Sequence, residues 1–353
     1  GVNLGVADKD LRTIPASPEA ESLAPAVHHA VAEVSLLSTA AFTVEGKTYE
    51  AVVLPGAGTK ALGACQLVAS DLAVPVARGA TISVTRRFHS FFRPAGEFGA
   101  GWTLDLPYLK EQSAPVSRED GRVLLRPTYQ LGSPLDSLVA TFRTRRLVQE
   151  VNAELLVPDQ DSEILGLTGM EERRIGTPTQ AVLFRGGECW HFDDAGRLVG
   201  VERAPLLIAY RRGDGGRLER IEGWYGKARK ADIRLTYDDQ GRLSAARGSD
   251  GQEVSYAYGA SGGLTKATGP AGKLRYEYDA NGQVRSVERN GRLLQAFAYS
   301  SRGELVRQRR TDGIEIGYQI SPVAGGAAVA GTIGGQSIET ATFDRALRPL
   351  ERT

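Results

Sequence analysis

The chain has 353 residues, 41% of them hydrophobic and 24% charged, which suits two or three ordinary domains or one long repeat array. Its 43 basic and 42 acidic residues leave a formal charge of +1, so bulk charge points neither to nucleic acid nor to an anionic membrane. Glycine is abundant at 42 residues, which implies many turns, and no apolar run approaches the ~18 residues of a membrane span.

Residues 1–30 read as a loosely ordered lead-in, with Pro15, Pro18 and Pro25 among small and acidic residues. The start at Gly1 lacks the charged opening and apolar stretch of a signal peptide, and the single methionine is Met170. The chain is therefore expected to be a processed or excised piece of something longer. Residues 31–179 read as an N-terminal β-rich region. Ala41 to Tyr49 alternates and predicts a hairpin turning at Glu45-Gly46. Ala80-Thr81-Ile82-Ser83-Val84-Thr85 is strand-like, and a short helix is expected over Asp136–Phe142.

Residues 180–353 repeat a unit: an aromatic, three variable residues, glycine, one residue, then an aliphatic. It runs from Phe192 through Gly196 to Leu198, from Tyr237 through Gly241 to Leu243, and from Tyr258 through Gly262 to Leu264. It returns at Tyr278, Gly282 and Val284, and at Tyr299, Gly303 and Leu305. A stretched copy spans Tyr210 to Leu218, and degenerate copies begin at Tyr318 and Phe343. Residues two and four before each aromatic are mostly apolar, as in Ile233, Leu235 and Tyr237, so each run is a strand with one apolar face. The Asp-x-x-Gly that follows is turn chemistry, because aspartate bonds its own turn and glycine accepts a positive φ. The array is thus expected to be an all-β meander of hairpins. About 16 strands at ~4.8 Å would give a closed ring too narrow for a folded domain, and open sheets rarely exceed ~10 strands without curling. A curved or spiralling sheet, an arc of something larger, follows.

These residues resemble the YD repeats of the Rhs, teneurin and Tc-toxin BC-component family. Two further landmarks are similar to that family's cores: Arg86-Arg87-Phe88-His89-Ser90 followed by Gly99-Ala100-Gly101-Trp102, and Ala181-Val182-Leu183-Phe184 leading to Trp190-His191-Phe192. The resemblance implies an arc of a hollow β-shell in a secreted or cell-surface bacterial protein. Such a shell encloses or displays cargo such as a C-terminal toxin, and meets the rest of the parent shell or other copies through sheet edges. The family's self-cleavage motif is not found before Thr353, so no protease residues carry over.

Chemistry-bearing residues are sparse. Asp193, Asp238, Asp279 and Asp344 suit turns better than calcium, since each turn offers one or two carboxylates. The tyrosine ladder reads as cross-strand packing, with sugar stacking as the alternative. Trp190, Trp224 and Tyr225 are candidates for a glycan contact. Cys65 and Cys189 read as free thiols, and arginine's excess over lysine as a genomic bias rather than a phosphate-binding surface. His28, His29, His89 and His191 lack metal-ligand spacing, and a Cys189–His191 pair has no orienting acid. Gly96, Gly99 and Gly101 read as a β-corner, since no Lys-Ser/Thr follows as in a phosphate loop. The expectation is a non-enzyme without cofactor, metal or nucleic-acid partner.

Overall fold

The computed structural model describes residues 40–44, 47–51, 64–91, 95–119, 122–132, 138–143, 146–147, 153–156, 179, 181–185, 188–344 and 349–352. Among these the protein is almost wholly antiparallel β-sheet, broken by a 3-10 turn at Asp214–Gly216. An 18-stranded sheet runs in strict sequence order from Ala153–Leu156 to Pro349–Arg352 and does not close on itself. It begins before residue 180, because Ala153–Leu156 pairs with Ala181–Arg185.

The hairpin geometry follows from the repeat residues. In the turn after Tyr237, the Asp238 carboxylate accepts the N–H groups of Gln240 and Arg242, while Gly241 N–H donates to the Asp238 carbonyl. Gly241 sits at φ 79°, where a side chain is costly, and the pairing slips by one residue at Tyr237. A tight turn followed by a glycine bulge gives the strand its extra twist. Turns after Phe192 and Tyr278 repeat this hydrogen-bond pattern with Asp193 and Asp279; after Tyr299, the Ser300 hydroxyl takes the carboxylate's place. At Tyr318 the pattern lapses: the strand Glu315–Val323 continues past it and turns near Gly325.

The apolar face of this sheet is covered by a second sheet. The strands Gln66–Ala77 and Ala80–His89 form a long hairpin, joined by Trp102–Leu104. Val76 lies against Gly223, Val74 against Gly248, Asp71 bonds Tyr256, and Cys65 reaches Tyr299. Moving back along one strand therefore steps across successive strands of the other sheet. Twelve residues extend ~40 Å, and ten strands from Leu218–Tyr225 to Glu315–Val323 span ~43 Å of sheet, so the hairpin crosses them nearly at right angles. One core results, joining Leu67, Leu72, Ile82 and Phe88 to Ile233, Val254, Leu274, Phe297 and Ile316. Each such buried side chain contributes roughly 1.5–3 kcal/mol.

Two expectations in the N-terminal half meet the structure directly. Ala40–Val44 and Lys47–Ala51 pair antiparallel, while Glu45 and Gly46 lie outside the described residues. The helix expected over Asp136–Phe142 is corrected: Leu138–Arg143 is a strand paired with Arg122–Gly132. The β-branched Val139 and Thr141 and the aromatic Phe142 suit a pleat, and the long strand Arg122–Gly132 pairs with it. The lead-in, residues 1–30, lies outside the described residues.

Gly241→Val should lower the melting temperature more than Asp238→Ala. The first forces a β-branched residue to positive φ, at roughly 1–2 kcal/mol or more. The second removes exposed local hydrogen bonds of about 0.5–1.5 kcal/mol net. Calorimetry of the two variants checks the order; equal losses would contradict the turn assignment.

Candidate functional site

The polar residues that the fold brings together lie between the two sheets. Arg86 occupies an inward position in the row Ile82, Val84, Arg86, Phe88, and its side chain is fully buried. Its Nε donates to Asp71 Oδ2 at 2.6 Å and its Nη2 to Asp71 Oδ1 at 3.0 Å. Nη2 also donates to the Tyr276 hydroxyl at 2.6 Å, and the Tyr256 hydroxyl donates to Asp71 Oδ2 at 3.0 Å. The guanidinium stacks 4.4 Å from the Trp102 ring centroid and 4.9 Å from that of Tyr276. Burial alone would push the Arg86 pKa down, but the Asp71 carboxylate overrides it and the net shift is upward. Burial pushes the Tyr256 and Tyr276 hydroxyls up. The cluster pairs one buried cation with one buried anion, leaves Arg86 Nη1 without a hydrogen-bond partner, and holds the hairpin at one place on the sheet.

A second set of bonds runs along the array. The repeat tyrosines Tyr237, Tyr258, Tyr278 and Tyr299 donate their hydroxyls to the carbonyls of Leu218, Leu243, Leu264 and Val284, at 2.5, 2.5, 2.5 and 2.9 Å. Each acceptor is the aliphatic that follows the turn glycine of the preceding unit. These four units are thus each latched to the one before, and the accepting aliphatics are 0–1% exposed. Arg217 and Arg242 lie over the faces of Tyr237 and Tyr258. Tyr210 belongs to the same core margin, its hydroxyl pushed up chiefly by burial.

The glycine-rich segment is a corner that docks on the array. Glu97 takes the Leu243 N–H on its carbonyl at 2.6 Å, and its carboxylate accepts from Thr103 Oγ1 and Leu104 N. Gly99, at φ +82°, approaches so closely that a Cβ would lie 2.2 Å from the Gly262 carbonyl oxygen. Trp102 Nε1–H donates to the Tyr278 hydroxyl at 3.0 Å, so this indole is tied to the latch.

The glycan candidates do not converge. Trp190 is in register with Val201, Ile208 and Gly223, whereas Trp224 is in register with Leu207, one residue over. The two indoles therefore face opposite sides of the sheet, and each donates its N–H to a carboxylate two residues away, Glu188 or Glu222. Trp190 is buried, and Tyr225, beside Trp224, is exposed. No disulfide joins Cys65 and Cys189, and burial pushes the Cys65 thiol up to about 12. His89 is buried and accepts the Phe91 N–H at Nδ1. His191 is buried in the row beneath Gly200, 3.9 Å from Glu202, and burial lowers its pKa to about 4. No group of three or more His, Cys, Asp or Glu suited to a metal exists among the described residues. The turn carboxylates Asp193, Asp238 and Asp279 are used by their own turns.

The segment Arg86-x-Phe88-x-Ser90 carries three separate roles. Arg86 is the staple, Phe88 packs 5.2 Å from Trp102, and Ser90 Oγ accepts the Cys65 N–H. The signal that was available is a lone arginine in an otherwise apolar, inward-facing row.

The architecture defines an all-β hairpin-repeat protein whose apolar face is filled by its own N-terminal hairpin. Residues 237–274 match the RHS Repeat family model. Among solved structures it is similar to the Photorhabdus luminescens Tc holotoxin pore carrying a TccC3 mutation, at 11% identity over 90% of this chain and 22% of that one, with a TM-score of 0.30. It is likewise similar to a TcdB2–TccC3 crystal structure, at 12% identity over 84% and 20%, TM-score 0.26. A TcdB2–TccC3 form without the hypervariable C-terminal region gives 11% over 90% and 23%, TM-score 0.28. The chain spans about a fifth of the length of these neighbours. No curated protein matches it.

Breaking the staple from one side should be severe: Arg86→Met or Asp71→Leu is expected to cost about 3–5 kcal/mol in urea unfolding, by stranding a buried charge. The pair Arg86→Met/Asp71→Leu should lose far less than the sum of the two. A sum that is simply additive would mean the two residues do not act as one unit.

Neutral His191 makes stability depend on acid. With a folded pKa near 4 against the ordinary 6.5, the unfolded chain takes up a proton that the folded chain refuses over that interval. Stability contributed by this group is complete above pH 6.5 and declines as pH falls toward 4. The melting temperature of His191→Phe should therefore fall less over that window than that of the parent.

Proposed function

We propose that the chain is a structural shell segment of a secreted or cell-surface Rhs/YD-repeat protein that encloses or displays cargo such as a C-terminal toxin, and that it has no catalytic activity. The observation that carries this reading is where the polar groups are spent. Repeat hydroxyls close latches, turn carboxylates close turns, and Arg86 and Asp71 close on each other and on Tyr256 and Tyr276. The aromatic face is buried against a neighbouring sheet, which favours a wall over an adhesive, sugar-stacking surface. No helix among the described residues is long and apolar enough to cross a membrane. The first and last strands of the open sheet are the places where other shell parts, or other copies, would add on.

Light scattering of the purified chain across a concentration series, with hydrogen exchange at Ala153–Leu156 and Pro349–Arg352, tests this. Association that rises with concentration and slows exchange at those two strands is the expected result. A strict monomer, with both strands protected throughout, would count against an add-on role. Hydrolase activity abolished by Cys189→Ser or His191→Gln would overturn the non-enzyme assignment.

A further inference from the structure

Two Asn-Gly pairs stand at hairpin turns of the array, Asn281-Gly282 and Asn290-Gly291, and the fold treats them differently. Asn290 and Gly291 are the two central residues of the turn between Val284–Arg289 and Arg292–Tyr299, with Arg289 directly paired to Arg292. Their φ angles, 49° and 81°, are those of a type I′ turn. Asn290 is the one non-glycine residue at positive φ among the described residues. It is also tied sideways. Its N–H donates to the Lys273 carbonyl at 2.9 Å, and its Oδ1 accepts the Lys273 N–H at 2.9 Å. The carboxamide lies over Gly272, where a Cβ would come within 2.8 Å of both Oδ1 and Nδ2. The tip of this hairpin is thereby joined to the turn between Leu264–Gly269 and Gly272–Tyr278, in the repeat before.

We infer that Asn290-Gly291 is a site of spontaneous deamidation, with water as the only co-reactant. The Gly291 nitrogen gives up its proton to solvent and attacks Asn290 Cγ. A Cγ–N bond forms, the Cγ–Nδ2 bond breaks, and the amide nitrogen takes up a proton and leaves as ammonia. The succinimide ring then adds water. Opening at the side-chain carbonyl leaves an aspartate. Opening at the main-chain carbonyl leaves an isoaspartate, whose backbone is longer by one carbon.

Three features favour this pair over Asn281-Gly282. The nucleophile is unoccupied: Gly291 N–H bonds no backbone carbonyl among the described residues, whereas Gly282 N–H donates to the Asp279 carbonyl at 3.0 Å. The electrophile is polarised: negative charge developing on Asn290 Oδ1 meets the Lys273 N–H already aimed at it, as in an oxyanion hole. Asn281 donates its own N–H to Asp279 Oδ1 at 2.9 Å, and its carboxamide oxygen meets no such donor among the described residues. The tip is open: Asn290, Gly291 and Arg292 are exposed, and no atom beyond the chain neighbours stands within 4 Å of where a Gly291 Cβ would be. The turn therefore has room to bring the nitrogen onto Cγ. An isoaspartate would lengthen a two-residue turn and carry the acceptor away from Lys273, which severs the tie between consecutive repeats. The site stands apart from the shell reading.

The test is to age the full chain at mildly alkaline pH and digest it with a glutamate-specific protease. Cleavage after Glu277, Glu288 and Glu304 puts the two pairs on separate peptides, 278–288 and 289–304. Mass spectrometry reads the change from amide to acid in each, and fragmentation separates aspartate from isoaspartate. In the folded chain Asn290 is expected to react about fivefold faster than Asn281 or more, since Gly282 must first surrender a turn hydrogen bond. In guanidinium the two rates should converge, because the turn bonds have gone. The aged chain should also lose hydrogen-exchange protection at Lys273 in step with isoaspartate at 290. No reaction at 290, equal rates in the folded chain, a faster Asn281, a ratio that survives unfolding, or undiminished protection at Lys273 would each overturn the site.

Discussion

An open sheet with one apolar face cannot stand in water, and everything distinctive about this protein follows from how that face is covered. The cover is a hairpin laid across the strands. Because it crosses them, it touches one or two residues of each strand rather than running along any of them. Crossing contacts alone set position weakly, since one apolar row slides over another at little cost. The Arg86–Asp71 pair removes that freedom. A buried ion pair is a weak source of net stability, but off its site each charge would be stranded in hydrocarbon. Tyr256 and Tyr276, on strands two apart in the array, supply hydroxyl partners to the pair at one place on the sheet.

The two kinds of bond divide the labour. The tyrosine latches act between neighbouring units and repeat with the sequence, so they hold the meander at a fixed spacing. The staple and the glycine corner act across sheets and occur once. Gly99 against Gly262, and Trp102 against Tyr278, place the corner over two successive units. A regular array is thereby given one unique address, which a repeat sequence cannot supply from within itself.

Much of the array was legible because its determinants are local. Asp238 and Gly241 lie within one turn, and the alternation Ile233, Leu235, Tyr237 fixes which face is buried. The hydroxyl role of the tyrosines was not legible, since the acceptor of Tyr258 is a backbone carbonyl fifteen residues away and carbonyls carry no sequence signature. The staple was hidden for the same reason on a larger scale: Arg86 and Tyr276 are 190 residues apart. Leu138–Arg143 was misread because an isolated window of mixed propensity does not reveal that a long strand waits beside it. The glycan candidates failed to converge because adjacent strand positions face opposite ways, so Trp224 and the Trp190 row are separated by a single step of register.

The separation between the hairpin and its partners also dictates an order of events on the ribosome. The hairpin at 64–89 leaves first, carrying an arginine and an aspartate destined for the interior. Their phenol partners, 185 and 190 residues later, arrive ~10–40 s afterwards at ordinary elongation rates. Through that interval the chain can build hairpin upon hairpin, yet none can bury its apolar face for good until the crossing strands find it. Contacts of such long range are slow to form. The nascent repeats therefore grow around a waiting core, and the protein's most exposed moment falls between the synthesis of its first sheet and its second.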